Sequence, residues 1–131
     1  FSISYGDYHQ QVEFCLYGWK EDNGAHYWAG PTNESTLWEV KRDSAKELVH
    51  PTQKPIALAQ RAIRNSSKIR DVVVDFFGGS GSTLIASQSM DRRSFLIEAE
   101  PKHCDAIVRR YIAFVGRVNV PASLAEKYLK T

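Results

Sequence analysis

The chain has 131 residues, of which 43% are hydrophobic, and this size suits one domain or part of one. A formal net charge of +2 does not by itself indicate a nucleic-acid-binding protein, and Cys15 and Cys104 lack the spacing of a disulfide framework or a zinc site. No apolar run reaches the ~20 residues of a membrane helix and no signal peptide is visible, so we expect a soluble, cytoplasmic protein. Because Phe1 opens the chain and the single methionine is Met90, we expect a piece of a longer protein.

The first 48 residues are rich in aromatic side chains, with nine of the fifteen aromatics in the first forty positions. Phe14 and Leu16 alternate with polar neighbours as in a half-buried strand, and residues 5–8 are typical of a turn, so residues 1–19 are predicted to form an antiparallel hairpin. Polar residues with Gly and Pro dominate positions 21–33, and residues 35–40 are a further candidate strand. The aromatic side chains either stack on nucleobases or cover a sheet edge, and we expect the second.

Residues 49–116 are predicted to alternate helices with strands. A helix opens at Pro55 and ends at residues 65–67, whereas residues 71–77 and 94–98 are apolar runs typical of strands buried on both faces. A second helix at 82–90 lies between the strands, and a third runs from Pro101 to Gly116 with an apolar stripe at helical spacing. This order predicts a right-handed parallel α/β unit, with a possible strand at 117–120. Basic residues around the first helix face either phosphates or, as we expect, solvent: Lys54, Arg61, Arg64, Lys68 and Arg70.

The turn that leaves the first predicted strand carries the strongest functional signal. Glycines in residues 79–81 let the backbone turn tightly and approach a ligand, while the helix beginning near Ser82 directs free N–H groups toward it. Glu98 ends the next strand about 20 residues later, where an acid can accept hydrogen bonds from the hydroxyls of a ribose. Together these features predict a site for an adenosine-containing cofactor.

Two residues bear on which cofactor that is. Leu84 stands where a dinucleotide fingerprint has its third glycine, and Asp75, just before the turn, sits poorly against a pyrophosphate. A nicotinamide cofactor is therefore disfavoured. An acid at this place suits a cofactor with an ammonium group and a cationic sulfur, as S-adenosylmethionine has.

Three motifs together resemble the amino-group DNA methyltransferases of the permuted beta class. They are HPTQKP at 50–55, DFFGGSGST at 75–83 and IEAEP at 97–101. In that family HPTQKP opens a helix, D-P-F-x-G-S-G-T-T follows a strand, and I-E-x-D-P follows the next strand. The similarity covers about residues 49–111, and residues 11–17 resemble the strand pair that precedes the family's recognition segment. Phe76 replaces the family's proline and Ser82 its commoner threonine, but the acid and the glycines are kept.

The resemblance implies a partial α/β fold of the Rossmann-like S-adenosylmethionine-dependent methyltransferase type, mainly parallel, with the N-terminal hairpin added. Residues 1–131 would be one partial domain: 1–48 the hairpin and a recognition or linker segment, 49–116 the cofactor-binding core, and 117–131 a tail. The family's catalytic tetrad, D/N/S-P-P-Y/W/F, occurs nowhere in these residues.

The resemblance therefore implies the cofactor half of an enzyme that methylates an exocyclic amino group in double-stranded DNA, adenine rather than cytosine. Such a half would be inactive alone and would depend on the missing N-terminal half or on another copy of the chain. A non-catalytic nucleotide-binding or regulatory module of the same fold remains the alternative.

Carried over by position, the resemblance implies a set of cofactor-binding residues and no catalytic or metal-binding residue. The acid and glycines would hold the methionine end, the aromatic ring would lie against the cofactor, and Glu98 would take the ribose hydroxyls. Thr52, with His50 and Lys54, would reach the methionine carboxylate, although a loop-fixing role for His50 and a surface role for Lys54 stay open. Helix capping explains the two serines better than nucleophilic catalysis. The full set is His50, Thr52, Lys54, Asp75, Phe77, Gly79, Ser80, Gly81, Ser82, Thr83 and Glu98.

Overall fold

A computed structural model describes residues 7–8, 11–20, 26–41 and 53–129. In these ranges the chain forms a small parallel sheet with helices packed on one face, which is an α/β arrangement. The elements in chain order are α1 (Ile56–Ser66), β1 (Val72–Asp75), α2 (Ser82–Ser89), β2 (Arg93–Leu96), α3 (Pro101–Val115), a 3-10 helix (Arg117–Asn119) and α4 (Ala122–Leu129).

The sheet consists of β1 and β2, which run parallel with Val72 opposite Arg93 and Asp75 opposite Leu96. The crossover helix α2 packs against β2 and α1. Past the strand ends, the Gly78 N–H donates to the Ile97 carbonyl at 2.8 Å. The predicted strand, helix, strand order is confirmed, and it places the glycine turn and the segment after β2 at the same edge of the sheet.

One face of the sheet is uncovered among the described residues, so the predicted burial on both faces is wrong for this part of the chain. Val72, Val74, Phe95 and Ile97 are 47%, 50%, 62% and 58% exposed, and we call these four side chains the open sheet face. The helices cover only the opposite side. An apolar run indicates that a strand is suited to burial on both faces, but it does not indicate which polypeptide packs on each face.

Residues 11–20 and 35–40 form no strand, so the predicted hairpin is wrong for residues 11–19, as is the strand at 35–40. Phe14 is 91% exposed and Leu16 is fully exposed. Alternation of apolar and polar residues marks a face, but a strand also needs a neighbouring strand, and the sheet of the described residues contains only β1 and β2. Residues 1–6 and 9–10 of the predicted hairpin lie outside the described residues.

The segment from residue 26 to 41 instead packs on α1. The Ala29 N–H donates to the Asn65 carbonyl at 2.8 Å, and Asn65 Nδ2 donates to Glu34 Oε2 at 2.8 Å. Glu34 also forms an ion pair with Arg61, whose guanidinium lies 4.8 Å from the centre of the Trp38 ring. Hydrogen bonds from Arg61 and then from Asn65 lower the pKa of Glu34.

Three basic residues contact N-terminal residues, but only Arg61 is part-buried, so the expected solvated face is wrong for Arg61 and holds for the exposed Lys54 and Lys68. Arg61 pairs with Glu34 as described above, Lys68 Nζ lies 4.8 Å from the Tyr27 ring centre, and Lys54 Nζ lies 2.5 Å from a Glu13 carboxylate oxygen. The hydrogen bond from Lys54, and then its charge, lower the pKa of Glu13. The expected solvated face holds for Arg64 and Arg70, which are exposed.

The apolar core lies between the helices and the covered side of the sheet. α3 begins and ends as predicted, and Gly116 closes it at φ +87° by donating to the Ile112 carbonyl at 2.9 Å. The strand predicted at 117–120 is wrong, because Asn119 turns back and its Nδ2 donates to the Val115 carbonyl at 2.6 Å. α4 then packs on α3, an element that the sequence interpretation missed. The buried apolar side chains are Ile63, Ile85, Ala86, Ile107, Ile112 and Ala125.

Candidate functional site

A cleft of about 260 Å³ opens at the carboxyl end of β1. Its lining contains Gly78 and seven of the predicted site residues: Lys54, Asp75, Phe77, Gly79, Ser80, Ser82 and Thr83. Gly81 lies in the same turn, and Glu98 contacts that turn without lining the cleft. His50 and Thr52 lie outside the described residues. The structure thus brings together, around one cavity, nine residues that are separated by up to 44 positions in the sequence.

The glycine turn has a conformation that explains where glycine is needed. Gly79 and Gly81 have φ of +54° and +77°, and the Gly81 N–H donates to the Gly78 carbonyl at 2.8 Å. A Cβ at Gly81 would lie 3.1 Å from Ile107 Cγ2, whereas a Cβ at Gly79 would meet only the Phe77 carbonyl oxygen, at 3.7 Å. Both positions therefore need glycine for their positive φ, and Gly81 also allows α3 to approach the turn closely.

Asp75 and Phe77 line the cleft at the end of β1. Asp75 is half-buried, and its Oδ1 accepts a hydrogen bond from the Phe77 N–H at 2.9 Å. This bond fixes a carboxylate at the cleft. The Phe77 ring is 88% exposed, so an apolar surface lies beside that carboxylate.

Glu98 holds the glycine turn from the end of β2. Its Oε1 accepts the Glu100 N–H at 3.0 Å, and its Oε2 accepts the Gly79 N–H at 2.7 Å. His103 Nδ1 lies 3.6 Å from Oε1. The Glu100 amide, then the Gly79 amide, and more weakly His103 lower the pKa of Glu98 below its ordinary value of 4.5. The Glu98 carboxylate is therefore ionised at neutral pH and stabilises the turn.

The serines of the turn connect it to the segment before α1. Ser82 Oγ donates to the Lys54 carbonyl at 2.7 Å and lies 3.2 Å from Ser80 Oγ. Neither hydroxyl caps α2, because Gly81 occupies the capping position and no side chain makes a capping hydrogen bond there. The capping prediction is wrong for that reason: the hydroxyl of Ser82, the first helical residue, is directed to another segment.

Arg110 of α3 also contacts this site, and the sequence interpretation missed it. Its Nη1 lies 2.8 Å from the Ser80 carbonyl oxygen and 3.3 Å from each of the Ser80 and Ser82 hydroxyl oxygens. A signal was available in the helical spacing. Arg110 follows Ile107 by three positions and so shares the helix face that packs against Gly81.

A second cleft, of about 360 Å³, lies at the 3-10 helix and α4 and contains none of the predicted site residues. Within the described ranges, no group of three or more His, Cys, Asp or Glu side chains could hold a metal ion. No helix of that part of the chain is long and apolar enough to cross a membrane. Most of the site residues predicted from the sequence therefore lie at the cleft beside β1.

Comparison with known proteins gives matches for most of the chain. Residues 11–109 match a family model described as DNA methylase. The Type II methyltransferase M2.MboI of Moraxella bovis is 31% identical over 122 residues, which is 85% of this chain and 44% of that protein. The Type II methyltransferase M.HinfI of Haemophilus influenzae is 34% identical over 85 residues, 59% of this chain and 24% of that protein.

A solved structure is also similar. The crystal structure of the M1.HpyAVI-SAM complex has a TM-score of 0.56 and 30% identity, covering 64% of this chain and 43% of that one. The chain thus spans less than half the length of these relatives.

Proposed function

Because this chain belongs to the DNA methylase family, we propose that it is the S-adenosylmethionine-binding part of a site-specific DNA methyltransferase. The observation that carries the proposal is the cleft at the carboxyl end of β1, where a carboxylate, a glycine-rich turn and the start of α2 meet. The similarity to the crystal structure of the M1.HpyAVI-SAM complex supports the same cofactor.

The cleft residues suit this cofactor chemically. Asp75 supplies a negative charge for a cationic ligand, the three glycines of the turn let its backbone come close to the ligand, and the exposed Phe77 ring offers an apolar contact. Glu98 keeps capacity for ribose hydroxyls, since each carboxylate oxygen can accept more than the one backbone hydrogen bond it has here. Lys54, with His50 and Thr52, is proposed to hold the carboxylate end of the ligand. When bound, S-adenosylmethionine supplies an electrophilic methyl group.

The proposed acceptor is an exocyclic amino nitrogen of double-stranded DNA. Adenine is proposed before cytosine because it is the commoner target in the class that the motifs resemble. The names of M2.MboI and M.HinfI support a place in a restriction-modification system, and their bacterial origin supports a cytoplasmic location. Since the 131 residues contain no D/N/S-P-P-Y/W/F tetrad, we propose that this chain alone transfers no methyl group.

The open sheet face supports a proposal about the partner. Its four apolar side chains leave hydrophobic surface in water, and covering such surface is favourable. We propose that the remaining part of the methyltransferase, which relatives more than twice as long contain, packs there, with a second copy of this chain as the alternative. Mixing the chain with a polypeptide that carries the tetrad should restore methyl transfer to DNA. Phe95→Glu should prevent this, and a restored activity in that variant would contradict the proposed surface.

The test of the cofactor site is calorimetric titration of the folded chain with S-adenosylmethionine. We expect binding by the natural chain and at least ~10-fold weaker binding by Asp75→Asn, in line with the loss of a charge facing the ligand. Asp71→Asn is the matched control, because Asp71 precedes the first residue of β1, at the opposite end of the strand from Asp75, and does not line the cleft. A nicotinamide dinucleotide should give no heat of binding. Absence of binding by a folded natural chain, or equal effects of the two variants, would contradict the proposed site.

A further inference from the structure

We infer that Arg110 is a positioning residue that sets the conformation of the glycine turn before any cofactor binds. The inference rests on the proposed function for its cofactor, but its structural part concerns this chain alone. Arg110 does not line the cleft, so its effect on a ligand must pass through the residues it contacts.

The first reason is the flexibility of the turn itself. Residues 78–81 contain three glycines, and glycine backbones populate many conformations unless other groups restrain them. Glu98 restrains one side by accepting the Gly79 N–H, and Arg110 restrains the other by donating to the Ser80 carbonyl at 2.8 Å. That carbonyl shares a peptide plane with the Gly81 N–H, which donates to the Gly78 carbonyl. The plane is thus held from both ends.

The second reason is the connection that Arg110 makes beyond the turn. Its guanidinium lies 3.3 Å from the Ser82 hydroxyl oxygen, and that hydroxyl donates to the Lys54 carbonyl. α3, the glycine turn and the segment before α1 are therefore linked through one cation. Ser80 and Ser82 are each only 8% exposed, so water competes weakly for these bonds. Hydrogen bonds from a charged donor are also the stronger kind.

The test compares Arg110→Met with Arg109→Met. Arg109 is a matched control because it is the neighbouring arginine of α3, but its Nε donates to the Tyr128 carbonyl at 3.2 Å, away from the turn. Amide hydrogen exchange of residues 78–83 is measured without cofactor, followed by titration with S-adenosylmethionine. Arg110→Met should accelerate exchange in the turn about tenfold, the order expected for losing bonds to a charged donor, and Arg109→Met should not. Cofactor affinity should fall by a similar factor in Arg110→Met only.

Localisation of the effect separates positioning from general stability. Exchange of the α4 amides should be unchanged in Arg110→Met, and Arg110→Lys, which keeps the charge, should restore part of the protection. If Arg110→Met does not fold, Arg110→Lys decides the question, because a single ammonium cannot match the guanidinium geometry and should still accelerate exchange in the turn. Unchanged exchange at residues 78–83 in the folded variant would overturn the inference. Accelerated exchange at residues 78–83 in Arg110→Met, together with no cofactor binding by the natural chain, would instead contradict the proposed function and leave the structural inference in place.

Discussion

Gly81 is the position where a single added methyl group is expected to cost most. An L side chain at φ +77° lies in the left-handed region, which costs roughly 1–2 kcal/mol. The new Cβ would also lie 3.1 Å from Ile107 Cγ2 and 3.3 Å from Cγ1, and Ile107 is a core residue only 7% exposed. Overpacking of this kind costs about 1–3 kcal/mol. We therefore expect Gly81→Ala to lower the free energy of unfolding by about 2–5 kcal/mol.

Gly79→Ala is the matched control for the same change. At φ +54° it carries a similar backbone cost, but its Cβ would make only an ordinary contact, 3.7 Å from the Phe77 carbonyl oxygen. Its expected loss is ~1–2 kcal/mol. Urea denaturation followed by circular dichroism measures both variants, and Ile107→Ala combined with each glycine variant measures the coupling. Equal losses for the two glycine variants, with no coupling to Ile107, would refute the claim that packing of α3 fixes the turn.

Three further predictions concern stability at low pH, packing of the core and the docking of residues 26–41 on α1. Two backbone amides hold the pKa of Glu98 below 4.5, so the stability that the Glu98 carboxylate contributes is complete above pH 4.5 and is lost as pH falls through the lowered pKa. Glu98→Gln should therefore reduce the fall in the urea midpoint of unfolding between pH 7 and pH 3. Ile112→Ala, at a residue 1% exposed, should lower the free energy of unfolding by ~2–5 kcal/mol, whereas Val118→Ala, at 91% exposure, should change it by less than ~0.5 kcal/mol in the same assay. Glu34→Gln removes the ion pair with Arg61 and should raise tryptophan fluorescence quenching by acrylamide as the segment loosens; unchanged quenching would contradict the docking.

Local signals explain which parts of the fold were predictable. Pro55, Pro101 and Gly116 mark helix ends by their backbone chemistry, and the two apolar runs mark strands, so these elements follow from sequence. Residues 11–20 have an alternating pattern but no described strand beside them, so the predicted strand lacks a partner there. α4 has an amphipathic pattern of its own and packs on α3, and it was missed despite that local signal.

The candidate site also has one part that could be predicted from the sequence and one part that could not. Its contiguous part, from Asp75 to Thr83, was predictable because a tight turn demands glycines at fixed positions. The contact of Arg110 with Ser80 was not, because helical spacing places Arg110 on the same face as Ile107 but does not identify Ser80 as its partner. The binding of Arg61 to Glu34 was missed for the same reason, since the partners are 27 positions apart.

The open sheet face is the reason why the prediction of burial on both faces failed, and it also supports the proposed partner. Val72 and Val74 of β1 alternate with Val73 and Asp75 on the helix-covered side, so the open face of β1 has the apolar character of a strand buried on both faces. Apolar side chains at half exposure on both β1 and β2 are favourable only if another surface covers them, because each Å² removed from water contributes roughly 25 cal/mol. A sequence adapted to one-sided burial would instead place polar residues at these positions. The strands are therefore suited to a sheet with two covered faces, and this supports a complementing polypeptide rather than an autonomous regulatory module.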